Sequence, residues 1–360
     1  MILFAYVARR TLAAIFAALV GVVAIYLAVD FVDNSSGFGG PGWLPAVLEL
    51  YANKAAVVTR MVAPVAMILG SAIAVSGFRR TREYTAMRAM GLGPWRLASP
   101  VLAVTFALGT ALVLLHDVIG VRAEERADEI GSLRFGRGGD QRRYLEARAP
   151  KRWFRGADGR RIYNLRGHLP GGGFERVTVL EVDSAFRLVR RIDAGRMSPA
   201  GGEWLLEDVE DRTFLPDGDV KLERAPARRY RFEEPPEAFA IVPGRPSQMR
   251  WATLLHQIDI RRTLGLPVQE FLLERYNRLA YPFAGVAGAV VAVALALRRN
   301  RKGHLSAALV ESVGVSLLFW AVQGVSWALG LSGRVPPWIA AWAPDVLFLA
   351  AGVWAVRRSG

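Results

Sequence analysis

Few residues in this 360-residue chain have types and spacing suited to chemistry, and most of those argue against catalysis. The four histidines, His116, His168, His256 and His304, are scattered, and none stands at metal-ligand spacing from another. Cysteine is absent, which excludes disulfides and thiolate metal sites and leaves the redox compartment unreadable. The stretch GFGGPGW has glycines but lacks the Lys-Ser/Thr of a phosphate-binding loop, so ATP binding by that route is not expected. No Gly-x-Ser-x-Gly elbow occurs. Ser-to-Asp and Ser-to-Glu pairs occur in the central region, as on any polar β surface. The expectation is a non-catalytic chain with no metal site and no cofactor of its own.

Ionisable and polar groups inside apolar runs are the next candidates, because burying them in lipid is costly. Asp30 and Asp33 close the first run, Asp117 closes the third, and Glu311 sits about two turns into the fifth, with Gln323 further along it. Asp33 and Asp117 fit headgroup level. Glu311 fits either a contact with water or an arginine, or a cavity or partner.

The sharpest pattern is RTREYTAMRAMGLGPWRL, residues 80 to 97. Thr81 can cap a helix whose first turn holds Glu83, which suits the helix dipole. Glu83, Met87 and Met90 fall at i, i+4 and i+7 and share a face, while Arg82 and Arg88 can lie away from it. Gly91 ends the helix, and Pro94 prevents its extension. A short helix like this suits transmission of force from a soluble partner. The arginines equally suit an amphipathic helix lying on anionic lipid.

The elements that must position these residues are membrane spans. Of the whole chain, 52% is hydrophobic. Six apolar runs can each cross a bilayer, which takes about 20 residues of helix. They lie near Thr11–Val32, Ala55–Phe78, Leu97–Ile119, Asn277–Leu297, Leu305–Leu329 and Pro337–Val356. The first run is too long for a signal peptide and has no clean cleavage site, so it reads as a retained span. The net charge of +14 is split into clusters at the ends of these runs, which fits membrane orientation better than nucleic acid. Arg9 and Arg10, then Arg79, Arg80, Arg82, Arg88 and Arg96, then Arg298, Arg299, Arg301 and Lys302, then Arg357 and Arg358 all fall on one side. The alternate short loops offer only Lys54 and Arg334. By the positive-inside rule both termini and residues 79 to 96 are cytoplasmic, and residues 120 to 270 lie outside.

That outer region reads as β structure. RRIYNLRGHL, RVTVLEVD, FRLVRRIDAGRM and EWLLEDVEDRTF alternate apolar and polar residues. Turn signals separate them: Asp158-Gly159, Gly171–Gly173, Ala200-Gly201-Gly202 and Asp217-Gly218. Strands at this spacing suggest a small sandwich or open barrel. RAEERADEI before it and SQMRWATLLHQIDIRRTLG and VQEFLLERYNRL after it read as helices. The expected fold class is an α-helical membrane protein of six transmembrane helices with an inserted all-β domain. Its expected divisions are 1–119 with the short helix at 80–92, the β domain at 120–270, and 271–360. Small residues recur every fourth position, at Ala66, Gly70 and Ala74 and at Ala280, Ala284, Gly288, Ala292 and Ala296, a stripe that permits close helix packing.

With three spans, a β insert and three more spans, the chain resembles the LptF/LptG permease family of the lipopolysaccharide export ABC transporter. VDFVDN matches the family's pattern at span one, EYTAMRAMGLGPWRL its Glu-x-x-x-Met-x-Ala-x-Gly signature, and NRLAYPFAGVAGAVVAVAL its Arg-x-x-x-Pro start of span four. PPWIAAWAPDVLFLAAGVW is similar to its closing span. The Phe-Val-Asp and Pro-Pro elements lean towards the LptG branch.

The resemblance implies a periplasmic domain of β-jellyroll type and an inner-membrane heterodimer with a second, LptF-type six-span permease. It also implies a cytoplasmic LptB-type ATPase dimer that binds the ATP, an LptC-type bitopic protein, an LptA-type periplasmic bridge, and lipopolysaccharide as cargo. Glu83 matches the acid that contacts a groove on the ATPase. Arg88, Ala89 and Gly91 match the motif flanking it, and Met87 and Met90 lie with them. Spans one and five would form gates around an apolar cavity, with Asp30, Phe31, Asp33, Glu311, Phe319 and Gln323 as candidate residues. One departure concerns Asp30, which stands where family members often carry a basic residue suited to lipid A phosphates. Burial of acyl chains is worth about 0.8 kcal/mol per CH₂, so extraction needs an external energy source that this chain lacks. Two other classes are a mechanotransmitting ABC subunit, usually of four spans, and a membrane-anchored hydrolase using the β insert.

Overall fold

In lipid an apolar run can satisfy its backbone only as a helix or a closed barrel. The structure, a computed structural model, describes residues 2–136, 152–156, 159–169, 173–215, 218–232, 239, 245–263, 266–298 and 305–358. The loop residues Arg299, Arg301, Lys302 and His304 and the turn residues Asp158, Gly171, Gly172 and Asp217 lie outside the described residues. Among the described residues six helices are long and apolar enough to cross a membrane: Ile2–Gly37, Trp43–Arg80, Pro94–Arg134, Gln269–Leu297, Ser306–Leu331 and Pro337–Arg357, here spans one to six. They cover the expected apolar runs, short of Leu305 alone, and overshoot several of them. Span two has 38 residues, about 57 Å of helix against a hydrocarbon core of about 30 Å.

Span three continues beyond its apolar part, as RAEERADEI suggests, into the helix Val121–Arg134. A π-turn at His116–Gly120 joins the two parts. The added residue per turn rotates the second part relative to the first.

The chain divides into two compact units, Met1–Phe135 with Gln269–Gly360, and Gly136–Val268. In the first, span two is central and packs on spans one, four and five. The small-residue stripes lie at these contacts. A Cβ on Gly70 would strike the Ile15 backbone, one on Gly285 the Met67 side chain, and one on Gly288 the Ile68 side chain. One on Gly352 would lie 2.8 Å from Val290 Cγ1. Such close approach supplies the dispersion contacts that hold helices together where lipid gives no hydrophobic drive.

In the second unit the described strands form one antiparallel sheet in sequential order. They are β1 (Arg152–Arg155), β2 (Arg161–Leu169), β3 (Gly173–Val182), β4 (Leu188–Ala200), β5 (Glu203–Phe214) and β6 (Val220–Tyr230). The sheet is a meander, so the described strands pair in one sheet and not in the two facing sheets of a sandwich. Period-two alternation puts Tyr163, Leu165, Val177, Val179, Ile192, Met197, Leu206 and Val209 in one core. Phe232, Phe239 and Ile260, the last from the helix Trp251–Thr263, close over that face. Elsewhere cross-strand ion pairs tie the strands together. Asp211 on β5, only 4% exposed, accepts from Arg190 Nε at 2.9 Å and Nη2 at 2.6 Å and from the Tyr230 hydroxyl at 3.0 Å. The Arg190 hydrogen bonds hold the Asp211 carboxyl below its ordinary value.

Candidate functional site

Span two runs unbroken to Arg80, and Thr81 is still part of its last turn, with its N–H donating to the Gly77 carbonyl at 3.1 Å. The chain then reverses at Arg82, which takes a left-handed φ of 62°. The short helix follows at Glu83–Ala89, with Arg82 as its N-cap. Thr81 therefore cannot cap the short helix as the sequence suggests, because it is committed to span two. Its hydroxyl instead donates to Glu83 Oε1 at 2.8 Å. The stop matches expectation. Gly91 has φ +78°, a conformation strained for a side chain, and its N–H donates to the Arg88 carbonyl at 2.9 Å. Pro94 opens span three.

The expected Glu83–Met87–Met90 face splits. Met87 is buried with Val7, Val75, Phe78, Leu97 and Val293, so its side chain belongs to the bundle and is not on offer to a partner. Three residues on, at the C-cap, Met90 is 70% exposed, and Arg88, Ala89 and Gly91 are exposed as well. Glu83 is half-buried. Its second oxygen, Oε2, accepts from the Tyr6 hydroxyl of span one at 2.9 Å. Arg79 lies 5.7 Å from the Tyr84 ring and donates to the last carbonyls of span four, Leu297 at 2.7 Å and Ala296. The short helix is thus fastened to spans one, two, three and four.

At the other end of span one, Asp30 is not an isolated charge. Lys54 Nζ of span two lies 2.6 Å from Asp30 Oδ2, and the Tyr51 hydroxyl donates to the same oxygen at 2.8 Å. Phe31 packs beside them, 5.6 Å from the Tyr51 ring and 5.7 Å from Phe38. Asp33 is exposed, and Asp117 is half-buried in the π-turn. Span one packs closely on span two as far as Ile15 and has no buried residue beyond it. Only 6% of its apolar window is buried inside the chain, and span five follows at 28%, against 72% for span two. Spans one and five therefore leave the largest apolar faces for lipid or another chain, including Phe16, Val20 and Ile25 on one and Val310, Leu317 and Val325 on the other.

Not every residue expected at a gate lies on those faces. Phe319 is buried against Phe348 of span six at 5.1 Å, and Gln323 donates to Asn277 of span four at 3.1 Å. Both point into their own bundle, because the apolar face of span five is offset from them around the helix. Glu311 is half-buried.

Two polar features went unnoticed in the sequence. Glu274 and Arg278 of span four pair at 2.9 Å, and Arg60 of span two approaches the same carboxylate at 3.8 Å, close to the π-turn. Spaced i, i+4 on one helix, the first pair was visible in principle. Asp345 of span six is buried at 7% exposure, and among the described residues neither carboxylate oxygen has a hydrogen-bond partner. An acid inside an otherwise apolar run is the signal that could have found it. Among the described residues no group of His, Cys, Asp and Glu could hold a metal ion.

Comparison with known proteins is consistent across the length of the chain. A family model described as "Lipopolysaccharide export system permease LptF/LptG" matches residues 5–358. The chain is 19% identical over 358 residues to the "Lipopolysaccharide export system permease protein LptG" of Haemophilus influenzae, covering 98% of this chain and 97% of that protein.

Proposed function

Because the chain belongs to the LptF/LptG family of lipopolysaccharide export system permeases, a family of inner-membrane, multi-pass, non-catalytic proteins, we propose that it extracts lipopolysaccharide from the inner membrane under the drive of a partner ATPase. The short helix at Glu83 faces the cytoplasm with both termini, and the β unit lies in the periplasm. The ATPase is a soluble LptB-type dimer that binds the ATP. A second, LptF-type permease completes the membrane part. The β unit hands the lipid to an LptC-type protein and an LptA-type bridge.

One observation carries this reading: a seven-residue helix, reversed at both ends, fixed to four spans through Met87, Tyr84 and Glu83, with Met90 and Arg88 turned outward. A connecting loop needs no such anchorage. A lever does, because displacement of a loose segment would dissipate before reaching the spans. The lightly buried spans one and five supply the movable walls, and the neutralised Asp30 removes an objection to anionic lipid at that end. A count of six candidate spans supports this reading over a four-span mechanotransmitting subunit.

The test is Glu83→Lys in the full complex. The variant should insert and fold normally and lose co-purification of the ATPase. An undiminished ATPase yield would remove the lever from the mechanism.

A further inference from the structure

We infer that Tyr6 is a positioning residue that links the ATPase-facing helix to span one, so that displacement of Glu83 is delivered first to the span least held by packing. The inference rests on the role proposed for Glu83.

Glu83 receives two side-chain donors. Thr81 is two residues away and belongs to the turn itself. Tyr6 is 77 residues away in sequence and belongs to span one. Two groups contact its exposed ring: Phe78 lies 5.9 Å away, and the Arg10 guanidinium stands 5.3 Å from the ring centre. Beside it Val7 is fully buried against Phe78 and Met87. These contacts restrict the rotamers open to Tyr6 and so lower the entropy lost when its hydroxyl bonds Glu83.

Two properties make this contact suited to transmission. A carboxylate has about four acceptor positions, so Thr81 and Tyr6 leave room for a cationic donor from the ATPase without being displaced. A partner that pulls on Glu83 thus pulls on Tyr6. Span one is also the member of the bundle that a small force can move. Its buried residues, Val7, Thr11 and Ile15, all lie in the half that begins at Tyr6. Beyond Ile15 none of its residues is buried, and near its far end it is held by the Asp30–Lys54 and Asp30–Tyr51 contacts and by Phe31 against Tyr51. A push at Tyr6 therefore acts on a beam packed into the bundle as far as Ile15, with no buried residue beyond it, and tied again at Asp30.

The experiment uses the complete complex in nanodiscs containing lipopolysaccharide, with Tyr6→Phe, Thr81→Ala and Glu83→Lys compared. Tyr6→Phe removes one hydroxyl and keeps the ring packing, and Thr81→Ala removes the donor that does not reach span one. Tyr6→Phe should retain ATPase co-purification and release about two- to ten-fold less lipopolysaccharide per ATP hydrolysed, the scale of one hydrogen bond. Thr81→Ala should keep the original ratio.

An unchanged ratio in Tyr6→Phe, or an equal fall in Thr81→Ala, overturns the link. Loss of ATPase co-purification in Tyr6→Phe also overturns it, since Tyr6 would then serve docking and not transmission. Failure of the proposed function reads differently, as ATPase retained by Glu83→Lys whatever Tyr6→Phe does.

Discussion

Lys54 of span two places its ammonium 2.6 Å from the carboxylate of Asp30 on span one. The two are 28% and 21% exposed, so the pair is neither dry nor fully screened. It cancels a negative charge at the end of the span that the proposed mechanism moves, and it ties that end to the static centre of the bundle.

Removing the cation alone should therefore be worse than removing both charges. Lys54→Met leaves Asp30 with the Tyr51 hydroxyl but without its cation near anionic lipid. The amount of lipopolysaccharide co-purifying with the complex should fall, and Asp30→Asn in the same chain should restore it. Equal losses in the single and double variants would mean that Lys54 acts without Asp30.

Close packing of span one on span two makes Gly70 intolerant of bulk. A Cβ there would overlap the Ile15 backbone, which cannot swing aside like a side chain end. Gly70→Val should cost about 1–3 kcal/mol, as overpacked cores do, and lower the thermal midpoint of the purified complex. Gly314, with open space around it, is the control, and Gly314→Val should leave the midpoint nearly unchanged.

Asp345 has a different logic. A buried carboxyl without hydrogen-bond partners opposes folding, and an apolar residue of similar shape relieves it. Asp345→Leu should raise the thermal midpoint by at least about 2 °C. A fall would reveal a polar partner for Asp345 in the assembled transporter.

The β unit should lose stability in acid through Asp211. Its carboxyl is held below its ordinary value by the hydrogen bonds from Arg190. A depressed acid stabilises the fold at pH above its unfolded value, about 3.9, and that contribution is lost as pH falls through the folded value. Unfolding of the sheet, followed by hydrogen exchange in the full chain, should be insensitive to pH from about 7 to 5 and accelerate below about 4. Asp211→Asn should be less stable at neutral pH and show a flatter acid response.

The six spans were legible because lipid imposes one demand on every residue of a run, and length with hydropathy records it. The β strands were legible from alternation, since one face of the sheet packs on Phe232 and Phe239. The single meander was not, because alternation fixes which face is buried and says nothing of which strands pair. Gly91 announced itself as the stop of the short helix, since few other residues accept its φ. Thr81 misled because a capping residue can serve the end of one helix or the start of the next, and only the left-handed turn at Arg82 decides between them. Met87 and Met90 share a face on an ideal helix, yet seven residues lie against a curved bundle that buries one and frees the other. Phe319 and Gln323 were placed on span five correctly, but their direction around it depends on spans four and six, whose packing no local pattern encodes. Tyr6 and Glu83 are far apart in sequence, and only the fold brings them together.

The central claim is that this chain takes lipopolysaccharide from the bilayer along its lightly buried spans. A photoreactive residue at Val20 of span one, exposed on its apolar face, tests this directly in the intact complex. The expected result is a lipopolysaccharide adduct that diminishes when ATP is supplied. Labelling by phospholipid alone, with and without ATP, would contradict the claim.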